Sequence, residues 1–411
     1  MRRATWLLLV VPAVGCGPPG ATGTTGGDGW TDNQRDAGTG IAPGDAQDSA
    51  ASDGSDAGGM DAVESGADGS GGMAGRHGDA GGDADSSAGG KGGHPSDAGD
   101  DADSSADGTI DGTSDAGDPG HVAYRLAGGP VFLIEATAGA QPLNVTQALD
   151  ALSPGTDGGV NVSPDGEWLS VVTTRFGCQS VACVVVIDVG LNQADVLQTA
   201  EGQRMIGEAA AAVGSGGDVV VFSAASSAHE RDLFVTRRTG AFWSEPVDIT
   251  GASTFSYNTE PAIAGDGWAV LFDCGPLPYG VNGTHVCEVG IDGSALRVVV
   301  DPTNSPNGES GNRAHSADYA PDGSIVFEAE WGSERIWRLV PGASVPTVIG
   351  AFGNDNTPCV LPDGRVASLW LNAESNPNGF HELKLMGADG ADPVMLVQGV
   401  DVLDATLGCG W

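Results

Sequence analysis

Val160–Val172 reads V-N-V-S-P-D-G-E-W-L-S-V-V, a proline–aspartate–glycine turn between two apolar runs. Proline at the second turn position fixes φ, aspartate accepts hydrogen bonds from nearby backbone amides, and glycine adopts the left-handed conformation that closes a hairpin. The flanking residues alternate apolar and small, or form short β-branched blocks, as strands do. The stretch therefore predicts two antiparallel strands joined by a tight turn.

This turn recurs along the chain at a regular spacing, which isolated Asp-Gly hairpins in other β-rich proteins need not have. Its copies, one of them a glycine-rich variant, centre on Asp165, Gly216, Asp266, Asp322 and Asp363, at steps of 51, 50, 56 and 41 residues. A second hairpin follows each turn, as in Ser333–Leu339. Four strands in each repeat of this length are typical of a propeller blade.

The two ends of the repetitive region complement each other. His121–Thr146 contains three short strands without an innermost one, and Asp401–Trp411 contains an innermost strand, Val402–Leu407, without a blade behind it. We therefore predict an all-β, six-bladed β-propeller over 121–411, with four-stranded antiparallel blades and one blade shared by the N- and C-terminal strands. Such closure removes free sheet edges. A β-sandwich and a seven-bladed ring remain alternatives.

The N-terminal quarter differs in composition from the rest. The 411-residue chain contains 67 glycines and carries a formal charge of −38. Residues 17–120 hold 21 acidic and three basic residues among Gly, Ala, Ser, Asp and Thr, which predicts a disordered acidic linker because little apolar surface can be buried. Residues 121–411 carry a balance of −22, which disfavours nucleic acid as a partner.

The first sixteen residues are typical of a processing signal. Arg2 and Arg3 precede a short apolar run, Trp6–Val11, that is too short to span a bilayer. The sequence A-V-G-C ending at Cys16 resembles the bacterial lipobox, with Ala13 where leucine is usual. The resemblance implies a lipoprotein signal peptide over 1–16 and lipidation of Cys16. An ordinary secretory signal cleaved nearby is the alternative.

The other six cysteines all lie in the predicted propeller, and an even number in an exported chain predicts disulfides. Their spacing suggests Cys178 with Cys183 and Cys274 with Cys287, each pair flanking a loop, and leaves Cys359 and Cys409. Sequence alone does not fix this connectivity. Free buried thiols are the alternative, and the absence of a Cys-x-x-Cys or a nearby Cys/His set makes us expect no metal site.

The motifs S-P-D-G-E-W-L-S-V-V, A-P-D-G-S-I-V-F and L-K-L-M-G-A-D-G-A-D-P-V-M-L resemble the WD-repeat-like units of TolB-type six-bladed propellers. The resemblance covers about 121–411 and is clearest from 158 onward. It implies either a periplasmic protein that binds protein partners or a propeller of the kind attached to peptidases and polysaccharide lyases. The linker composition is similar to that of lipoproteins from myxobacteria and their relatives.

A propeller usually binds its ligand where loops reach the innermost strands, around the central channel. Polar residues at the predicted positions are candidates for binding a cation, a sugar or a basic side chain: Glu208, Tyr257, Asn258, Glu260, Arg313, His315, Asn356 and Asp404. The alternative is that they keep the channel mouth wet and satisfy buried backbone groups. Four tryptophans are predicted to pack between blades: Trp168, Trp268, Trp337 and Trp370.

Enzyme motifs are mostly missing from the sequence. The predicted propeller contains no Gly-x-Ser-x-Gly elbow, and His229-Glu230 is not followed by the second histidine of a metalloprotease motif. We therefore expect no cofactor and no catalytic residues. The sequence favours an exported, lipid-anchored envelope protein, in the outer membrane, whose propeller binds a protein or glycan. A carbohydrate-active propeller enzyme, either a polysaccharide lyase or a glycosidase, is the alternative.

Overall fold

The computed structural model describes residues 119–410, apart from 128, 148–154, 179–181, 191–192, 209, 278–281, 307, 310, 351–352, 372–379, 400 and 403–405. The predicted signal peptide, Cys16 and almost all of the predicted linker lie outside the described residues. The domain boundaries proposed there remain predictions.

The described residues form six antiparallel sheets, called blades 1 to 6 here. The first three strands belong to blade 6: β1 (His121–Arg125), β2 (Val131–Glu135) and β3 (Leu143–Asn144). Blade 1 follows with β4 (Asp157–Val162), β5 (Trp168–Thr173), β6 (Cys183–Asp188) and β7 (Gln193–Val196). Blade 2 contains β8 (Ala211–Val213), β9 (Val219–Ala224), β10 (Asp232–Thr239), β11 (Phe242–Trp243) and β12 (Val247–Asp248).

Blade 3 contains β13 (Tyr257–Ile263), β14 (Ala269–Gly275), β15 (His285–Gly290) and β16 (Arg297–Val300). Blade 4 contains β17 (Gly311–Tyr319), β18 (Ile325–Trp331), β19 (Glu334–Leu339) and β20 (Thr347–Ile349). Blade 5 contains β21 (Asp355–Val360), β22 (Val366–Leu371), β23 (His381–Met386) and β24 (Val394–Val397), and β25 (Gly408–Gly410) completes blade 6. The six-bladed propeller is confirmed. The outer strand of blade 2 is split, because β11 and β12 both pair with β10.

The recurring turn joins the first and second strands of blades 1 to 5, as predicted. In every copy the amide of the fourth residue, a glycine, donates to the carbonyl of the first at 2.8–3.1 Å. These glycines have φ between +67° and +88°, a region that L side chains rarely adopt: Gly166, Gly217, Gly267, Gly323 and Gly364. The turn aspartates Asp266, Asp322 and Asp363 each accept the amide two residues further on at 2.9–3.0 Å.

The two chain ends share blade 6, whose strand order is β25-β1-β2-β3. The innermost ladder pairs Val122 with Cys409 and lies later in the chain than the predicted Val402–Leu407, of which Val402 forms a single bridge to Leu126. The difference follows from close packing, because a Cβ at Gly408 or Gly410 would collide with β4. The Gly-Cys-Gly segment can therefore lie where a bulkier one cannot.

One cluster of buried apolar side chains fills each of the six interfaces between adjacent blades. Leu133 of blade 6, for example, packs with Leu169 of blade 1. Trp168 and Trp337 belong to such clusters, as predicted. The prediction is wrong for Trp268, which directly follows the turn glycine, precedes β14 and is 74% exposed.

Three disulfides connect the six propeller cysteines, and their pairing is the one that the spacing suggested. Cys178–Cys183 and Cys274–Cys287 each lie within one blade. Cys359–Cys409 differs from them, because it joins β21 of blade 5 to β25 of blade 6. It spans 50 positions of sequence and ties the last strand to the neighbouring blade.

Replacing Cys359 and Cys409 together by serine should lower the free energy of unfolding more than replacing Cys178 and Cys183. Chain-entropy arguments give about 4 kcal/mol for the long loop and about 2 kcal/mol for the short one. Guanidinium unfolding of both double variants, followed by circular dichroism, measures the difference. Equal losses would contradict the role assigned to the long-range bridge.

Candidate functional site

The innermost strands surround a central channel with two different ends. The five recurring turns lie at the end where these strands finish, called the turn mouth here. The loops that arrive from the preceding blade lie at the other end, the loop mouth. The predicted binding residues that the structure describes belong to the loop mouth and the channel wall, because they lie at or near the starts of the innermost strands.

Two predicted residues at the loop mouth form ion pairs. Glu208 accepts from Arg231 Nε at 2.8 Å, and both side chains are about one-third exposed. Arg313 pairs with Glu334 and, at 3.3 Å, with Glu330, both from its own blade. Tyr257 is partly buried where β13 bridges to the backbone of Arg231. Ligand binding by Glu208, Tyr257 and Arg313 remains a prediction.

Three further predicted residues are buried in the channel wall. The amide group of Asn258 donates to Asp232 Oδ1 at 2.9 Å and to backbone carbonyls of the preceding segments, so it connects blade 2 to blade 3. His315 contacts Ser316 Oγ at 3.0 Å and Glu328 Oε1 at 3.3 Å. Asn356 is only 4% exposed. Asp404 lies outside the described residues.

Bulges narrow the middle of the channel. The pairing of β13, β17 and β21 with their neighbours shifts register at Glu260, Ser316 and Thr357, whose φ values are +53°, +51° and +48°. Ser316 Oγ donates to the Glu260 carboxylate at 3.4 Å, and the Ser316 amide donates to Asp273 of the preceding blade at 2.9 Å. Glu260, Ser316 and Thr357 border a cavity of about 20 Å³ in this middle part of the channel, called the waist here. The waist therefore has room for little more than one water molecule.

The turn mouth opens into a much larger cavity of about 400 Å³, called the funnel here. All six blades contribute to its wall, which includes Asn161, Ser215, Ile263, Pro321, Pro362 and Cys409. Its volume lies within the range of small-ligand sites. The charged residues among its described lining are Asp165 and Asp318, so the funnel is acidic.

Asp318 lies where the funnel meets the waist and borders both cavities. Its carboxylate accepts the amides of Val360 at 2.7 Å and Tyr319 at 2.8 Å. Burial raises the pKa of Asp318 to about 6, and these two hydrogen bonds oppose the rise only in part. The funnel was not predicted from the sequence, because its wall is assembled from the ends of strands in different blades. The signal present in the sequence was the set of proline–aspartate turns, because residues of these turns form part of the funnel wall.

One cluster outside the channel contains the residue types of a hydrolase. Asp232 is fully buried and accepts from Ser226 Oγ at 2.6 Å, while His229 Nδ1 lies 2.9 Å from the same carboxylate. The serine hydroxyl therefore bonds to the aspartate and to the backbone of His229. In a Ser-His-Asp triad the serine hydroxyl bonds instead to the imidazole ring, which takes its proton. The described residues contain no group of three or more His, Cys, Asp or Glu side chains placed to hold a metal ion. Nor do they include a helix long and apolar enough to cross a bilayer.

The sequence matches no protein-family model and no curated protein. Among solved structures, the chain is similar to a protein assigned as TolB from Agrobacterium tumefaciens, with a TM-score of 0.50 and 17% identity over 70% of this chain and 92% of that chain. TolB from Acinetobacter baumannii gives a TM-score of 0.39 at 14% identity, over 71% and 83% of the two chains. A puromycin-hydrolysing peptidase from Mycobacterium tuberculosis gives 0.40 at 14%, over 62% and 48%. At this level the similarity establishes the propeller fold and nothing further.

The raised pKa of Asp318 should make stability depend on pH. Because the folded state holds this proton more tightly than the unfolded chain, the wild type should gain stability relative to Asp318→Asn as the pH falls from 7 to 4. The gain should be on the order of 2–3 kcal/mol and should stop below the ordinary pKa of aspartate. Urea unfolding of both proteins at several pH values measures it.

Asp292 provides the matched control, because hydrogen bonds from Ser294 lower its pKa. Asp292→Asn should therefore produce a change of the opposite sign, but only below the ordinary pKa of aspartate, where the wild type loses stability as the pH falls toward the lowered pKa of Asp292. Between pH 7 and 4 the difference for Asp292→Asn should stay nearly flat. A flat difference for Asp318→Asn across this range would contradict the burial assigned to that carboxyl.

Proposed function

We propose that this chain is a lipid-anchored protein of the bacterial cell envelope whose propeller binds a protein or glycan partner. Three observations support the proposal: the fold is similar to TolB-type propellers, three disulfides are typical of an exported protein, and the sequence begins with a lipobox-like signal. In this proposal the lipid anchor at Cys16 is the protein's only contact with the membrane. The net negative charge of the propeller disfavours binding of nucleic acid.

The observation that carries the binding role is the funnel. It is much larger than the cavity at the waist, all six blades contribute to it, and it combines apolar walls with two carboxylates at its rim and floor. Such a combination of apolar walls and a few converging polar groups is typical of a binding site. The loop mouth is the weaker candidate, since Glu208 and Arg313 already pair with neighbouring side chains.

The proposed anchor and linker give the binding domain its reach. A flexible chain of 104 residues spans roughly 55–60 Å, and repulsion between its carboxylates extends it further. The propeller can therefore act at a distance from the membrane that holds Cys16. We assign that membrane to the outer membrane of a myxobacterial-type envelope, on the periplasmic face or the cell surface.

Lipidation is tested by Cys16→Ala in the full-length chain. The wild type should incorporate radiolabelled palmitate and enter the detergent phase of a Triton X-114 separation, because an acyl chain attached to Cys16 anchors it. The variant should remain unlabelled and stay in the aqueous phase. An unlabelled wild type would instead favour an ordinary secretory signal.

Partner binding is tested by substitutions at each mouth of the channel. Asp165→Asn in the funnel should reduce cross-linking of the full-length protein to envelope proteins or its retention on envelope polysaccharide by about tenfold, because a rim carboxylate contributes to charge complementarity. Arg313→Gln should have little effect, and Asp389→Asn, in an exposed turn, is the matched control. Loss with Arg313→Gln alone would move the site to the loop mouth, and shortening of the polysaccharide would favour the enzyme alternative.

A further inference from the structure

The bridge between Cys359 and Cys409 differs from the other two disulfides in its access to solvent. Cys409 is 9% exposed and forms part of the funnel wall, whereas Cys359 and the four cysteines of the other bridges are at most 2% exposed. Thiol–disulfide exchange requires a thiolate to reach one of the two sulfurs. Cys409 is thus the most exposed of the six disulfide cysteines, and a small thiol that enters the funnel reaches the wall that this residue helps to form.

The same bridge holds the strand that closes the ring. β25 is three residues long and pairs with β1 through three Cα partners, from His121 to Ala123. The innermost strands of blades 1 to 5 continue through a turn into their own second strand, but β25 has no such turn to β1. The disulfide to β21 is its covalent connection to the neighbouring blade.

We propose that Cys359–Cys409 is a site of thiol–disulfide exchange for neutral or cationic thiols, which reach it through the funnel, and that its reduction releases the last strand. In the first step a reductant thiolate forms a bond to Cys409 Sγ, the bond between the two cysteines breaks, and Cys359 Sγ leaves as a thiolate that takes a proton. A second reductant thiolate then attacks the sulfur of the attached reductant. Cys409 leaves as a thiolate and is protonated, and the two reductant molecules become one disulfide.

The charge preference follows from the wall of the funnel. Asp165 and Asp318 are its charged residues among those described, so an anionic thiol is repelled there and a cationic one is attracted. The competing site is Cys178–Cys183, because Arg204 Nη1 lies 3.7 Å from Cys178 Sγ and would stabilise a departing thiolate. Both of its sulfurs are buried, which makes access the deciding factor.

The test uses the intact full-length protein at low ionic strength. It is treated with cysteamine, which is cationic, or mercaptoacetate, which is anionic, at equal thiolate concentrations. The samples are quenched with iodoacetamide at successive times, and peptide mass spectrometry gives the order in which cysteines become alkylated. Cysteamine should label Cys359 and Cys409 before the other four and on the order of tenfold faster than mercaptoacetate. Salt at 0.5 M should reduce this ratio.

Two variants separate access from charge. Asp165→Asn should lower the ratio of the cysteamine to the mercaptoacetate rate, while Asp389→Asn, in an exposed turn outside the funnel, should leave it unchanged. Earlier labelling of Cys178 and Cys183, or equal rates for the two thiols, would overturn the proposal. The outcome is independent of the partner proposed above, because no partner is present.

Release of the strand has its own readout. After cysteamine treatment, hydrogen–deuterium exchange of those amides in His121–Ala123 that face β25 should rise at least tenfold, because β25 no longer covers them. The amides of β14, which lies in the middle of blade 3, should be unchanged. Unaltered exchange in β1 after complete labelling of Cys359 and Cys409 would overturn the second half of the proposal.

Discussion

The pairing of β25 with β1 is the interaction on which the propeller depends. It places strands from opposite ends of the propeller in one sheet, and that sheet packs against blade 1 on one side and blade 5 on the other. Without it the ring would have two exposed blade faces and a free innermost edge at β1. Three backbone pairs, two glycines that permit close packing and one disulfide maintain this closure.

The channel inherits its shape from the innermost strands. Bulges at Glu260, Ser316 and Thr357 narrow its middle, and acidic side chains of the preceding blades bind the amides of Ser316 and Thr357. At the turn mouth the strands diverge into the funnel. One ring geometry therefore produces a narrow waist and a wide acidic end, and the wide end has room for a small ligand.

Local features of the sequence predicted most of the fold. A turn such as Ser163–Gly166 is specified by its own four residues, and its recurrence reveals the blades. The position of β25 was predicted only approximately, because the close packing of Gly408 on β4 depends on tertiary contacts. The loop-mouth residues were found, but not their partners: Glu334 pairs with Arg313 from a different strand. The funnel could not be predicted, since no single segment contains it.

Disulfide mapping of the native protein tests the closed ring most directly. Proteolysis without reduction, followed by mass spectrometry, should recover a peptide containing Cys359 linked to a peptide containing Cys409. These residues meet only when the last strand lies beside the innermost strand of blade 5, since 50 positions of sequence separate them. Recovery of Cys409 as a free thiol, or joined to any other cysteine, would contradict closure of the propeller by its two chain ends.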